Sequence, residues 1–295
     1  MTPLARTARR ERLRRLIAAP DLLVLAGVYD GLSARIAEAE GFQAVTVGGY
    51  AAIGSMLAQP DLGQSNLRDI ASHCQRICQA TELPVYVDAD TGFGGVHNVR
   101  ETVRALEGAG AAGLFISDQT FPNRCGYMAG KTVVSTDEMV ARLRAALDAR
   151  EDPAFFICAR TDAAAVEGED AAIARCRRYM AIGVDMAKPQ GLDQAAQITR
   201  AIAEVPGPHF ATLSQAAHGP GLDLAPLQAL GVAAVTLPSL ALFAAARAVG
   251  HVLGEVRRSG SLRGLDAHLM SRPDYDALVR LEAFMRREQA LSGMA

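Results

Sequence analysis

Two carboxylates at alternate positions end a short apolar run, Val85-Tyr86-Val87-Asp88-Ala89-Asp90, and Thr91-Gly92-Phe93-Gly94-Gly95 follows it. Acids so spaced at a strand tip, with glycines leaving backbone room beside them, suit a hard divalent cation such as Mg2+. That ion keeps several waters and needs only one or two carboxylates. The same pattern also serves Asx turns that cap a strand end, and Asp-x-Asp alone does not choose between the two. A second reactive point is Ala159-Arg160-Thr161-Asp162. An arginine leaving a buried run is costly unless a neighbouring acid or an anionic substrate pairs with it. The third is the stretch 117–131, which is long, bears glycines and contains Arg124-Cys125-Gly126-Tyr127. A lid that closes over a site has this make-up. Arg124 beside Cys125 can lower the thiol pKa and poise it for proton transfer, although such a neighbour is commonly incidental.

These runs need elements that aim them at one place. From Leu22 onward one unit recurs: a short apolar β run, a turn, then a stretch of helical period. The β runs fall at 22–26, 44–47, 85–87, 113–116, 155–158, 184–187, 209–211 and 233–237, as parallel strands buried on both faces would. Amphipathic stretches at 98–108, 137–149 and 170–181 lie between them, and Glu107-Gly108-Ala109-Gly110 reads as a helix end feeding a strand. About eight such units predict a (β/α)8 TIM-type barrel, in which polar residues at the C-terminal strand ends face the active site. A doubly wound sheet would carry a Gly-rich phosphate turn after its first strand, and Gly27-Val28-Tyr29-Asp30-Gly31-Leu32 is not one. One barrel domain over 1–295 is expected, with an N-terminal helix at about 5–18 and a helical extension at about 258–295, including a charged helix near 275–289.

The composition sets the outer bounds. Thirty basic against 32 acidic residues give a net charge of -2 over 295 residues, which argues against a nucleic-acid partner. Half the residues are hydrophobic, enough for a large core, and the absence of Trp favours small-residue helix-on-sheet packing. Five cysteines do not make a disulfide framework. Cys74 and Cys78 share a helix face but lack a second pair at zinc spacing, so buried reduced thiols in a cytoplasmic protein are expected. No apolar run has the length of a membrane span. The arginines between Arg6 and Arg15 read as a solvated helix face rather than a basic arm.

Taken in order, Gln59-Pro60-Asp61-Leu62-Gly63, the Asp88/Asp90 run, Asp118-Gln119, Arg124-Cys125-Gly126, the stretch 131–139 and Ala159-Arg160-Thr161-Asp162 resemble the isocitrate lyase/phosphoenolpyruvate mutase superfamily. The likeness runs from about Leu16 to about Leu262. It is nearest to methylisocitrate lyases and carboxyphosphonoenolpyruvate phosphonomutases. What the resemblance implies is a (β/α)8 barrel with extra C-terminal helices, helix-swapped in a homotetramer, binding Mg2+ (with Mn2+ as an alternative) and a small 2-hydroxy or 2-oxo carboxylic acid. By position Asp88, Asp90 and Asp61 match the metal residues. Cys125 matches a catalytic acid/base, with Arg124 beside it, and Arg160 the residue that binds the substrate's oxygens. Thr46, Val47, Gly48 and Tyr50 fall at the turn whose backbone amides hold a carboxylate. Carbon–carbon cleavage through an enolate-like fragment, protonated from Cys125, is the implied reaction. The alternatives are a phosphonomutase, an oxaloacetate-type decarboxylase, or a repurposed family member without catalysis.

Departures cluster at the expected site. Ser117 stands where such lyases carry Glu, which predicts weakened Mg2+ binding. Gln190 replaces an acid, Tyr127 replaces a histidine after Cys125-Gly126, and Thr212-Leu213-Ser214-Gln215 replaces an Asn-x-Thr-Glu. Phe243 replaces an arginine that would grip a distal carboxylate. A smaller or more apolar distal group than that of methylisocitrate is therefore expected. Lys188 is a new cation: either an anion contact at the mouth or a surface lysine paired with Asp185.

Overall fold

The computed structural model describes residues 2–214 and 222–293. Gln215 lies outside the described residues. The strands are β1 (Leu23–Gly27), β2 (Ala44–Val47), β3 (Val85–Asp88), β4 (Gly113–Ser117), β5 (Phe156–Thr161), β6 (Met186–Pro189), β7 (Phe210–Thr212) and β8 (Ala234–Leu237). They pair in parallel in the order β6-β5-β4-β3-β2-β1-β8-β7, a nearly closed barrel whose only unbonded seam among the described residues lies between β6 and β7. The expected (β/α)8 architecture is what forms.

Helices cover the barrel outside: α1 (Pro3–Ala18), α2 (Gly31–Ala39), α3 (Gly49–Leu57), α4 (Leu67–Ala80), α5 (Val96–Ala109) and α6 (Thr136–Ala149). The second half adds α7 (Glu169–Met180), α8 (Ala195–Glu204), α9 (Leu224–Ala229), α10 (Leu240–Ser259), α11 (Arg272–Leu278) and α12 (Leu281–Ser292). Their starts are set by side chains: Asp30, Asn66 and Ser135 each accept a hydrogen bond from the first turn of α2, α4 and α6. Gly110 ends α5 at φ 103°, a left-handed conformation that favours glycine. One apolar cluster fills the layer between sheet and helices, including Val45, Val87, Ile116, Ile157 and Leu143. A second fills the barrel floor, where Tyr86, Phe156 and Phe210 pack ring on ring with centroids 5.6–6.3 Å apart.

Three local readings are corrected. The arginines of α1 are not a solvated face: Leu13 and Ile17 enter the barrel floor, and Arg9 and Arg10 are buried with them. Arg10 donates to the Glu107 carbonyl at 2.7 Å and pairs with Asp152 at 2.8 Å, while Arg14 pairs with Asp185 at 2.7 Å. The partners come from three separate loops and helices, so the helix closes the barrel's N-terminal end. Strand β6 starts two residues later than its apolar run. Asp185 is taken by Arg14, Arg150 and the Ile157 amide, so the strand extends through Lys188 instead. The C-terminal charged helix is two helices, broken where Arg280 adopts φ 59° and reaches Glu38 at 3.0 Å. No residue of α10 is buried, and its Leu240, Val249 and Leu253 are exposed.

Candidate active site

The C-terminal strand ends surround a cavity of about 290 Å³. Of the residues singled out in the sequence, Thr46, Gly48, Tyr50, Asp61, Asp88, Asp90, Arg124, Cys125, Gly126, Tyr127, Arg160, Lys188, Gln190, Thr212, Ser214 and Phe243 all line it. Val47 does not; its side chain points into the sheet–helix core. They are spread from Thr46 to Phe243, and the barrel brings them together because they lie at strand ends or on the loops and helix starts that follow them.

The acids form one wall. Asp88, at the end of β3, accepts from the Gly49 amide at 3.2 Å, at the first turn of α3, and from the Asp90 amide at 2.9 Å. Asp90 adopts φ 49° and accepts from Ser65 Oγ at 3.0 Å and Asn123 Nδ2 at 2.8 Å. Asp61 comes from the loop before α4, and its carbonyl accepts from the Cys125 amide at 3.4 Å. A Cβ added to Gly49 would lie 3.2 Å from Asp61 Oδ2, 3.3 Å from Asp90 Oδ1 and 3.5 Å from Asp88 Oδ2. The three carboxylates therefore converge on one small space.

Convergence without a cation is unfavourable. Burial, and then the charges of Asp88 and Asp61, push the Asp90 carboxyl up to about 8. Burial and Asp88 push Asp61 up to about 6, and its Oδ1 is buried with no hydrogen-bond partner. Burial raises Asp88 as well, with Arg160 opposing. Among the described residues no three or more His, Cys, Asp or Glu side chains are grouped so as to hold a metal ion by themselves, so the three acids could not supply a full ligand set. An all-oxygen wall with an orphaned carboxylate oxygen and room beside it fits Mg2+, which takes one or two carboxylates and fills its remaining positions with water or substrate.

Opposite stands Arg160 on β5. Its Nε and Nη2 bond Asp162 at 2.8 and 3.0 Å, and its guanidinium lies over the Phe115 ring, 5.7 Å from the centroid. Asp162 also accepts from Lys131 Nζ at 2.9 Å and Ser117 Oγ at 3.0 Å. Ser117 thus serves Asp162 rather than the acid wall. Burial works against ionised Asp162, but the charge and hydrogen bonds of Arg160, and then Lys131, hold its carboxyl down to about 2. Gly126 is pressed against the Arg160 guanidinium so closely that a Cβ there would collide with it.

The loop after β4 lies folded over the mouth. Gln119 clasps it by donating to the Arg124 carbonyl and accepting from the Arg124 amide, both at 3.0 Å. Asn123 ties it to Asp90, and Lys131 ties its far limb to Asp162 and to the Gly126 carbonyl. The Cys125 thiol is therefore delivered to the cavity on a fixed backbone. Its pKa is raised, not lowered: burial is the main cause, with Asp61 and Asp88 adding to it. The expectation that Arg124 would activate a thiolate is not met; its exposed guanidinium turns away to the Ala129 carbonyl at 3.5 Å. A thiol that keeps its proton is suited to give one.

The remaining wall is mixed. Tyr50 and Phe243 meet edge to face, centroids 5.9 Å apart, and make the distal side apolar. Lys188 points into the barrel, where Nζ bonds Thr212 Oγ1 at 2.5 Å. The alternative of a surface lysine paired with Asp185 is excluded, since Asp185 lies at the other end of the barrel with Arg14 and Arg150. Burial, and next Arg160, bring the Lys188 amine down to about 8. Sequence reasoning missed Ser65, Gln119, Asn123 and Lys131 as parts of the site. Gln119 and Lys131 lie in stretches that carry the family resemblance, and only the place of Ser65 and Asn123 on the same two loops as Asp61 and Cys125 hinted at them.

Comparisons with known proteins agree with this geometry. Residues 13–257 match the family described as phosphoenolpyruvate phosphomutase. The chain is 41% identical over 256 residues to a probable 2-methylisocitrate lyase 2 of Corynebacterium glutamicum, covering 87% of this chain and 83% of that one. Among solved structures, oxaloacetate acetylhydrolase in complex with the inhibitor 3,3-difluorooxalacetate superposes with a TM-score of 0.91 at 30% identity, covering 98% of this chain and 99% of that one. A phosphonopyruvate hydrolase complex with oxalate and Mg2+ superposes with a TM-score of 0.84 at 28% identity, covering 96% and 98%.

Proposed function

The chain belongs to the phosphoenolpyruvate phosphomutase family, and from that premise we propose that it is a Mg2+-dependent carbon–carbon lyase acting on a small 2-hydroxy or 2-oxo carboxylic acid. The observation that carries the reading is the meeting, in one cavity, of three converging carboxylates, a braced arginine and a protonated thiol. Asp88, Asp90 and Asp61 would hold the ion, directly or through water. The chemistry that a bound Mg2+ supplies is positive charge beside the substrate's oxygens, which favours an enolate-like fragment.

The protein's own groups do the rest. Arg160 receives substrate oxygens on the face opposite the acids, and Asp162 keeps the guanidinium from turning away. The clasp of Gln119 holds the loop down, which excludes water and fixes the thiol. Cys125 Sγ gives its proton to the carbon left electron-rich when the bond breaks. Tyr50 and Phe243 leave no cation for a third carboxylate, which supports a smaller or more apolar distal group than that of methylisocitrate.

We further read the protein as a cytoplasmic homotetramer. Five free cysteines, four of them buried, suit a reducing compartment. The exposed apolar face of α10 suits exchange with a second copy. No helix among the described residues is long and apolar enough to cross a membrane.

Two measurements test the activity. A panel of malate-type and 2-oxo acids is assayed for glyoxylate, pyruvate or CO2 release, with turnover expected on a compound smaller than methylisocitrate. Methylisocitrate cleaved as fast as any smaller acid would overturn the distal-wall argument. Calorimetric titration with oxalate is expected to show binding only when Mg2+ is present; no binding in either condition would favour a family member without catalysis.

A further inference from the structure

One amine in the cavity has no part in the chemistry above. The chain has two lysines, Lys131 and Lys188, among its 30 basic residues, so nearly every position that needs only a cation carries arginine. Lys131 is accounted for by its ion pair with Asp162. Lys188 stands opposite Arg160 in the β5–β6 register and lines the cavity with it. Among the described residues it joins no ion pair. Asp162 is already filled by Arg160, Lys131 and Ser117, and Asp185 is at the other end of the barrel. Its hydrogen bond to Thr212 Oγ1 continues to Thr236 Oγ1, 3.1 Å further on.

A lysine kept inside a barrel with Asp88 and Asp162 near but neither in contact costs stability that Met or Leu would not. A purely electrostatic contact to a substrate carboxylate would be served at least as well by the forked guanidinium used elsewhere in this chain. What an amine has and a guanidinium lacks is a nucleophilic lone pair near neutral pH.

We propose that Lys188 forms an imine with the carbonyl of a small 2-oxo acid bound in this cavity. Its lone pair adds to C2, an amine proton passes to the carbonyl oxygen, and a further proton from solvent lets water leave as the protonated C=N bond forms; hydrolysis later returns that proton. Where the acid bears a carboxylate on C3, the bond to that carboxylate breaks, its electron pair moves to the protonated imine nitrogen, and CO2 departs. A proton then adds to C3 of the enamine from Cys125 or water, and a second water hydrolyses the imine to free the lysine and the shortened 2-oxo acid. No oxidant or reductant is needed. The Thr212 hydroxyl, itself bonded to Thr236, holds the amine in place. Burial and the adjacent Arg160 leave a fraction of the amine uncharged at neutral pH. The inference rests on the 2-oxo acid ligand of the proposed function, but not on its metal.

The test uses the full chain with pyruvate and sodium borohydride, which reduces an imine to a stable secondary amine. Intact mass and peptide mapping should then find one carboxyethyl group on Lys188, none without pyruvate, and none on the Lys188→Met variant. Thr212→Val keeps the amine and should still be labelled at Lys188, about tenfold more slowly. An unlabelled Lys188, or label confined to Lys131 or the N-terminus, overturns the proposal. The same preparation is titrated with oxalate and Mg2+. Metal-dependent oxalate binding with no adduct sinks the imine alone, and an adduct without metal-dependent binding supports it while sinking the metal-dependent reading.

Discussion

Asp162 is the residue on which both halves of the site lean, and replacing it by Asn isolates that role. Its side chain is fully buried and accepts two hydrogen bonds from Arg160, one from Lys131 and one from Ser117. Asn keeps the shape but turns an NH2 group toward two cations that are themselves almost wholly buried. Removing one partner of a buried pair costs about 3–5 kcal/mol, because the other charge stays behind unpaired. An independent figure comes from the carboxyl itself, held at about 2 against an ordinary 3.8. That difference corresponds to roughly 2–3 kcal/mol favouring the charged form at neutral pH. The two agree on a loss of a few kcal/mol, or about 6–10 °C in Tm at the lower end of the size scaling. The sign with pH follows from the depressed value. The stabilisation is complete above the unfolded carboxylate's pKa of about 4 and is lost as pH falls toward 2. The gap between parent and variant should therefore be full and constant from neutral pH down to about 4, and narrow below that. Thermal melts across that range measure it. A variant melting within about 2 °C of the parent at neutral pH would refute the reasoning.

Other outcomes follow from the same geometry. Cys125→Ser should lose nearly all turnover while binding oxalate as before; a fully active variant removes the thiol from the mechanism. Gln119→Ala deletes both hydrogen bonds of the loop clasp, so kcat should fall about tenfold or more and proteolysis near 121–130 should quicken. Its folding stability should fall by no more than roughly 1–3 kcal/mol, the worth of two hydrogen bonds. Phe243→Arg should forfeit about 1 kcal/mol of contact with Tyr50 and raise relative kcat/KM for tricarboxylic over dicarboxylic acids, measured by competition between the two. An unchanged ratio would mean that the distal group does not approach this wall.

The parts of the protein that could be read from sequence are those whose signal is local. Strands such as β2, buried on both faces, print their state as an unbroken apolar run, and all eight were legible to within a few residues. The β6 run is displaced by two residues, because Asp185 is held by Arg14 and Arg150 while Lys188 and Pro189 pair with Arg160 and Thr161 of β5. The arginines of α1 failed for a related reason. Their partners Glu107, Asp152 and Asp185 lie roughly a hundred or more residues away, so a periodicity argument sees charge without seeing what meets it. The site divides the same way. Asp88, Asp90, Cys125 and Arg160 stand out in the sequence as candidates whose roles the family resemblance supplies, whereas Asn123, Gln119 and Ser65 acquire theirs only when two loops close on the strand ends.

Arg160 and Lys188 show why type and spacing alone stop short of function. In sequence both are cations leaving a buried strand toward the mouth, and they face each other across one ladder. The fold gives Arg160 a carboxylate that accepts twice, together with the Phe115 ring to lie on. It gives Lys188 a single hydroxyl. The first arrangement fixes a charge and its direction, which is what binding an anion requires. The second leaves a basic group desolvated and uncommitted, a state that costs stability and is worth retaining only where the amine reacts. Charge sign, the property that composition counts, is the same for both; the partner decides which of them is suited to hold an anion and which to react.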